Sequence, residues 1–233
     1  FVGPDFILEK SLVMVWGENR VEVEYKLIWS SGPVKLSLSP ITASRDYHSR
    51  EFGGENFPVV TEHGSALMID YPNLSDDIVV SLSHSAVRAS PELYRSFDLS
   101  KERERGLSDS EDHICAGRLD VVLSSDKAAV LVASIGRDLD YKPKGARAAE
   151  LLRQKDIIKV LRATSEGSEA PDWIAQLVLA SDQFVVKRFR SDGSEGRTII
   201  AGYPWFADWG RDTMIALTGV CLSTGRTDIA KEI

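Results

Sequence analysis

The sequence predicts an antiparallel β-sandwich followed by a second, helical domain, and two observations predict this fold class. Over residues 6–40, apolar and polar side chains alternate in short runs with turn-forming residues between them, as they do in half-buried strands. Near residue 145 the apolar spacing changes to that of amphipathic helices. Strands first and helices second indicate two domains rather than one.

The predicted strands fall into two groups. Three strands lie at residues 7–16, 21–29 and 34–38, with turns at 17–19 and 30–33. The same alternation then returns in four further segments, at residues 65–71, 78–84, 113–123 and 128–135. Seven or more short strands separated by polar turns are typical of an antiparallel sandwich.

Two polar stretches interrupt the strand pattern. The charged stretch at residues 101–113 indicates a solvated loop, with a brace between the two domains as the alternative. The segment Arg45-Asp46-Tyr47-His48 has three interpretations: a contact with the following domain, a contact with a sugar, or a plain turn. We do not expect His48 to bind a metal.

After residue 145 the chain alternates helices with short connections. The first predicted helix is at residues 148–161, and a polar linker follows at 165–171. Pro171 suits the first turn of a second helix. The apolar residues assigned to this helix by their 3.6-residue spacing are Trp173, Ile174, Leu177, Val178, Phe184 and Val185. A turn at 192–193 and an extended piece at 198–200 complete this region.

A third helix is predicted at residues 214–222. It is apolar on nearly every side, which predicts burial between other helices. Gly225 suits the position just past its end. Residues 227–233 predict the first turns of another helix. Both ends of the sequence look cut, so we expect this chain to be a piece of a longer protein.

Composition excludes several classes of function. The net charge of −7 argues against nucleic acid or an anionic membrane as the main partner. No apolar run approaches the ~20 residues of a membrane span, and no Cys or His spacing is typical of a metal site. Cys115 and Cys221 lie far apart, which favours free buried thiols in a reducing compartment over a disulfide. The expected location is therefore the cytoplasm.

The most informative segment is residues 203–213, Tyr-Pro-Trp-Phe-Ala-Asp-Trp-Gly-Arg-Asp-Thr. Two rings, Trp205 and Trp209, lie close in sequence to the charged pair Arg211 and Asp212. A sugar offers an apolar C–H face and a rim of hydroxyls, which suit stacking and charge-assisted hydrogen bonds respectively. The segment is a candidate carbohydrate subsite.

A purely structural interpretation of the same segment stays open. Asp212 stands before the apolar stretch and would cap its helix, a contribution of ~1 kcal/mol. Arg211 would then be the surface partner of Asp212, and both tryptophans would be core. Gly210, directly after Trp209, makes a tight backbone turn possible. This interpretation explains each residue separately, but not their crowding on one loop.

Residues 202–217 closely match a signature of glycogen debranching enzymes of the bacterial and archaeal type, and the chain resembles that family over most of its length. The other segments that carry the resemblance are Leu8-Glu9-Lys10, Ser39-Pro40, residues 45–48, Glu104-Arg105-Gly106-Leu107, Glu111-Asp112 and Ala180-x-Asp182-x-Phe184-Val185. The resemblance implies a β-sandwich domain at residues 1–145, a linker helix at 146–166 and the start of an (α/α)6 barrel at 167–233.

The resemblance also implies an activity. Family members are amylo-α-1,6-glucosidases, inverting hydrolases that release glucose from the α-1,6 branch points of glycogen or limit dextrin without a cofactor. Some relatives also carry 4-α-glucanotransferase activity. The expected partner is a branched α-glucan. The alternatives are a glucoamylase- or trehalase-like hydrolase and a glucan-binding piece without hydrolysis of its own.

The roles of individual residues follow from the same resemblance. Arg211 and Asp212 would bind hydroxyls of the non-reducing glucose. Trp209 and Trp205 would form the subsite wall. Asp208 would either contact the sugar or support the residues that contact it. Asp212 beside Arg211 makes a poor proton donor. We therefore expect the catalytic acid and base after residue 233, and no metal.

Overall fold

A computed structural model of the chain describes residues 1–46, 49–136, 145–164, 169–203 and 206–233. These residues form two compact units, Phe1–Arg147 and Ala148–Ile233. Each unit has a hydrophobic core of its own.

The regular secondary structure of the first unit is almost entirely antiparallel strands. Its elements are β1 (Phe6–Met14), β2 (Arg20–Ser30), β3 (Val34–Leu38), β4 (Ile41–Thr42), β5 (Val59–His63), β6 (Ala66–Asp70), β7 (Ile78–Leu82), β8 (Ala86–Asp98), the short helix α1 (Ser100–Glu104), β9 (Ser110–Leu123) and β10 (Ala129–Ile135). Six of the strands form one sheet in the order β1-β2-β10-β7-β6-β5. In the other sheet, β9 pairs with β3 and β4 as well as with β8.

The core of the first unit lies between these two sheets. One sheet contributes residues such as Val23, Leu67 and Leu82, and the other contributes Leu119 and Val121, among others. Burial of such side chains stabilises the fold by about 1.5–3 kcal/mol each. The expected antiparallel sandwich is therefore what the first unit shows.

The second unit mixes helices with a small sheet. Its elements are α2 (Ala146–Arg162), which begins at the unit boundary, α3 (Asp172–Asp182), β11 (Val185–Phe189), β12 (Glu195–Gly202), β13 (Phe206–Asp208), α4 (Gly210–Leu217), a π-helical turn (Thr218–Leu222) and α5 (Thr227–Glu232). The three strands are antiparallel in the order β11-β12-β13. Val185, Ile199 and Cys221 are the buried centre of this unit.

Three element predictions need correction. The second predicted helix ends at Asp182, and Val185 instead begins β11, where its β-branched side chain pairs with Ile199. The charged stretch at 101–113 is not one solvated loop, because it contains α1 and the start of β9. The 13-residue strand β8 was not predicted at all.

The predictions for the two cysteines and for Gly225 are confirmed. Both cysteines are free and buried. Gly225 lies just after the π-helical turn with a φ of +79°, a left-handed conformation that favours glycine. Among the helices of the described residues, none is both long enough and apolar enough to cross a membrane.

Candidate functional site

The aromatic segment is held by the edge of the small sheet. Phe206 pairs with Gly202 and Asp208 pairs with Ile200, so β13 runs antiparallel beside β12. A Cβ at Gly202 would lie 3.3 Å from Cδ2 of Phe206, which is tighter than ordinary contact. Glycine at this position therefore lets the Phe206 ring approach the strand closely.

The helix after this segment begins earlier than predicted. Trp209 is the extended N-cap residue, with φ −127° and ψ 121°, and Gly210 is the first helical residue. The Thr213 N–H donates to the Trp209 carbonyl at 2.8 Å and closes the first turn. Asp212 is therefore not the N-cap, and Gly210 does not form a separate tight turn. Residues 206–213 are therefore a strand and a helical turn rather than one loop.

Thr213 fixes this first turn to the sheet. Its side chain is only 4% exposed, and Oγ1 donates to the Ile199 carbonyl of β12 at 3.0 Å. Ile199 belongs to the buried centre of the unit. The residues directly before Thr213 are thus attached to the buried core of the unit.

Arg211 and Asp212 present their charges to solvent. Both are exposed, and Trp209 is 59% exposed. Neither charged side chain makes an ion pair or hydrogen bond to another residue that the structure describes, so the expected Arg211–Asp212 surface pair is absent there. The reason is geometric, because consecutive residues of a helix do not face each other. Asp212 lies in the first turn, where the helix dipole favours a negative charge.

Asp208 has a different environment from Asp212. Its side chain is partly buried, and one carboxylate oxygen lies 3.6 Å from Nε of Arg188 on β11. Tyr203, which is 53% exposed, contacts Phe184 edge to face, with 5.8 Å between the ring centroids. Trp205, the second predicted wall residue, lies outside the described residues.

The apolar helix after the site is not buried on all sides as predicted. One stripe packs on the core, and it contains Ala216, Leu217, Val220 and Cys221. Met214 and Ile215 remain 58% and 74% exposed. Within the described part of the chain, no element covers that second face of the helix.

A buried ionic cluster that the sequence did not reveal lies in the same unit. Asp182, at the end of α3, accepts from Nη1 of Arg226 and from Nη1 of Arg153, both at 2.6 Å. Glu150 accepts two further bonds from Arg153, at 2.7 and 2.8 Å. These bonds lower the pKa of Glu150. The sequence marks Asp182 only as part of a segment that carries the family resemblance.

Arg226 connects this cluster to the end of the site helix. Its side chain is 5% exposed. Nη2 donates to the Val220 carbonyl at 2.7 Å, and Nε donates to the Thr224 hydroxyl at 3.1 Å. The cluster thereby joins α2, α3 and the π-helical turn.

A second polar cluster lies in the sandwich, at the start of β9. Glu111 is buried and accepts two bonds from Arg45, at 2.6 and 2.7 Å, which raise the pKa of Arg45. Nε2 of His113 lies 3.2 Å from the same carboxylate. Arg45 is therefore tied to its own unit. Tyr47 and His48 lie outside the described residues.

Asp112, next in sequence, connects the turn at Gly53 to strand β8 at Ser96. Its carboxylate accepts from the backbone N–H of Gly53 and of Ser96, both at 2.8 Å. These two bonds hold the pKa of Asp112 below its usual range. Glu111 and Asp112 are structural residues in the interior, and the solvated-loop interpretation is wrong for both.

A concave cleft elsewhere on the first unit is a weaker candidate for sugar binding. Its volume is about 190 Å³, and it is lined by Ser11, Leu12, Val13, Glu22, Glu24, Val130, Gly145 and Arg147. None of these residues is aromatic, so the described lining of the cleft offers no ring on which a sugar would stack. Among the described residues, no group of three or more His, Cys, Asp or Glu side chains is placed to hold a metal ion.

Comparison with protein-family models gives two matches. A model described as glycogen debranching enzyme N terminal matches residues 1–130, more than half of the 233 residues. A model described as amylo-alpha-1,6-glucosidase matches residues 179–233, which include β12, β13 and α4. A search of curated proteins found no match to the chain.

Proposed function

The chain belongs to the glycogen debranching enzyme family, and from this premise we propose that its protein hydrolyses α-1,6 branch points of a branched α-glucan and releases glucose. The observation that carries the proposal is the arrangement of Trp209, Arg211 and Asp212 at the start of α4. All three are exposed there, within the segment that matches the amylo-alpha-1,6-glucosidase model.

These residues suit the recognition of glucose. The Trp209 indole offers an apolar face to the C–H face of the ring. The Arg211 guanidinium carries five N–H donors, and the Asp212 carboxylate accepts from hydroxyl groups. Charge-assisted bonds of this kind are about twice as strong as neutral ones. We assign Trp205 and Asp208 to the wall and the support of the same subsite.

The proposed cleavage is inverting. Such hydrolysis uses a carboxylic acid that protonates the leaving oxygen and a carboxylate that activates water, ~6.5–9.5 Å apart. We assign neither role to Asp208, which lies beside Arg188, nor to Asp212, whose position suits hydroxyl binding. Water is the nucleophile, so the reaction needs no cofactor.

The domain organisation is part of the proposal. Residues 1–145 form the N-terminal sandwich domain, 146–166 a linker helix and 167–233 the first helices of an (α/α)6 catalytic barrel. The exposed apolar face of α4 supports this assignment, because a helix of a larger barrel has further helices to contact.

Glucose release from phosphorylase limit dextrin tests the function. The purified protein that carries this chain is given limit dextrin, linear maltoheptaose and trehalose, and released glucose is measured. The proposal expects release from limit dextrin, with β-glucose seen first by NMR if the mechanism inverts. Release from maltoheptaose or trehalose alone would establish a glucoamylase- or trehalase-like enzyme instead.

The same experiment separates the remaining alternatives. Binding of limit dextrin without any release of glucose would leave a glucan-binding protein and reject hydrolysis. Longer and shorter linear products from maltoheptaose would reveal glucanotransferase activity. The Arg211 and Asp212 variants described below then assign the activity to this site.

A further inference from the structure

We propose that Thr213 is a positioning residue that holds Arg211 and Asp212 in the geometry needed to bind a sugar. The inference rests on the proposed function and adds a residue to which no sugar-binding role is otherwise assigned. Thr213 does not contact the sugar in this proposal, because its side chain is only 4% exposed.

The hydrogen bonds of Thr213 fix the first turn of α4 from two directions. Its N–H donates to the Trp209 carbonyl at 2.8 Å within the helix. Its hydroxyl donates to the Ile199 carbonyl at 3.0 Å, across to β12. The first bond sets the helical turn, and the second sets where that turn lies on the sheet.

The hydrogen-bond acceptor, the Ile199 carbonyl, belongs to a residue in the buried core of the unit. Ile199 is 3% exposed, and it packs with Val185 and Cys221 in the core of the unit. Arg211 and Asp212, by contrast, have no side-chain partner among the described residues. Their positions are therefore set by the backbone of the first turn, and Thr213 is the side chain in that turn that ties this backbone to the sheet.

Small displacements of this turn matter for binding. Hydrogen bonds to sugar hydroxyls require donor–acceptor distances of roughly 2.5–3.2 Å, and a misplacement of about 1 Å lowers rates by as much as ~100-fold. Valine has nearly the shape of threonine but cannot donate to the Ile199 carbonyl. Serine keeps the donor and loses only a methyl group.

Two variants of Thr213 test the inference on limit dextrin. We expect Thr213→Val to lower kcat/KM about 10-fold, mainly through a higher KM, and Thr213→Ser to stay within about 3-fold of the wild type. A rise in KM is informative, because a variant that is merely less folded loses kcat per total protein at unchanged KM.

Thr224 supplies the matched control. It is also a buried threonine, and its hydroxyl donates to the Val220 carbonyl at 2.8 Å, at the opposite end of the helical segment. Thr224→Val should lower Tm at least as much as Thr213→Val and leave KM unchanged. Unchanged KM in Thr213→Val, or an equal KM change in Thr224→Val, would overturn the inference.

The outcome for Thr213 is distinguishable from the outcome for the function. If the wild-type protein neither releases glucose from limit dextrin nor binds it, the proposed function fails and the role of Thr213 fails with it. If the wild type is active while Thr213→Ser is as impaired as Thr213→Val, only the positioning role is rejected, because the hydroxyl is then not what matters.

Discussion

Arg211 and Asp212 are exposed at the start of a helix, where neither side chain makes a hydrogen bond or ion pair with another described residue. Exposed charges of this kind stabilise proteins by little, about 0–1 kcal/mol even when paired. Their removal should therefore cost activity and not stability. This asymmetry distinguishes a binding role from a structural one.

We predict that Arg211→Ala and Asp212→Asn each lower kcat/KM on limit dextrin about 10- to 100-fold, the loss of one charge-assisted bond of ~1.5–3 kcal/mol. Tm should change by no more than a few degrees. Asp228→Asn is the matched control, because Asp228 lies in the first turn of α5 and is exposed. Near-normal activity in both site variants would reject the subsite.

Asp112 is the residue whose charge should matter for acid stability. Its pKa is held low, first by the hydrogen bond from the N–H of Gly53 and then by the hydrogen bond from the N–H of Ser96, a non-glycine residue with a φ of +57°. A carboxyl group with a lowered folded pKa adds stability above its unfolded pKa of ~3.9. That stability is lost as the pH falls through the folded pKa.

We predict that Asp112→Asn lowers the urea midpoint of the first unit at pH 7, and that the difference from wild type narrows as the pH falls below about 4. Urea unfolding followed at pH 7 and pH 3 measures both. Asp76→Asn is the control, because Asp76 is exposed and, among the residues that the structure describes, accepts a side-chain bond from its neighbour Ser75 alone. If the urea midpoints of wild type and Asp112→Asn differed equally at pH 7 and pH 3, the lowered pKa of Asp112 would not be the source of the stability.

At the scale of elements, alternation and turn residues were enough to predict most strands of the sandwich. Strand β8 was missed for a physical reason. Pro91 lies inside it, at the register shift between Ala89 and Glu92, and a proline within a run argues against a strand. The strand tolerates Pro91 because the pairing with β9 is irregular at that point.

In the second unit, the 3.6-residue spacing of apolar side chains predicts too long a helix. Phe184 and Val185 continue the 3.6-residue spacing of α3, yet the Phe184 carbonyl accepts from the Ile200 N–H in the sheet. At the candidate site, residue types were predictable from the sequence, since Trp209, Arg211 and Asp212 stand in one short segment. The start of α4 at Gly210 and the anchoring by Thr213 were not, because both depend on contacts with β12.

The ionic cluster around Asp182 connects the helices of the second unit, and we predict that it stabilises them. Asp182→Asn leaves the Arg226 guanidinium buried without its carboxylate, and removing one partner of a buried pair costs about 3–5 kcal/mol. We expect the free energy of unfolding of the second unit, measured with urea, to fall by that amount. Glu232→Gln is the control, because the Arg197–Glu232 pair is partly exposed and should cost at most ~1 kcal/mol. Equal losses in both variants would contradict a structural role for the cluster.

At the scale of the whole molecule, each unit contains one buried free thiol. Cys115 lies in the sandwich and Cys221 at the centre of the second core. Burial also raises the pKa of the Cys221 thiol, which reduces the thiolate that reacts. Modification of each thiol therefore requires its own unit to open, and the two rates report on the two units separately.

We predict that the thiol-modification rates respond to different substitutions. Asp182→Asn should speed the labelling of Cys221 at least ~10-fold and leave Cys115 unchanged, since each 1.4 kcal/mol of lost stability raises the open population tenfold. Asp112→Asn should speed the labelling of Cys115 and not of Cys221. Iodoacetamide labelling in low urea, quantified by peptide mass spectrometry, measures both sites in one sample. Parallel acceleration of both thiols by either substitution would mean that the two cores open together, and the assignment of separate stabilities to the two units would then be wrong.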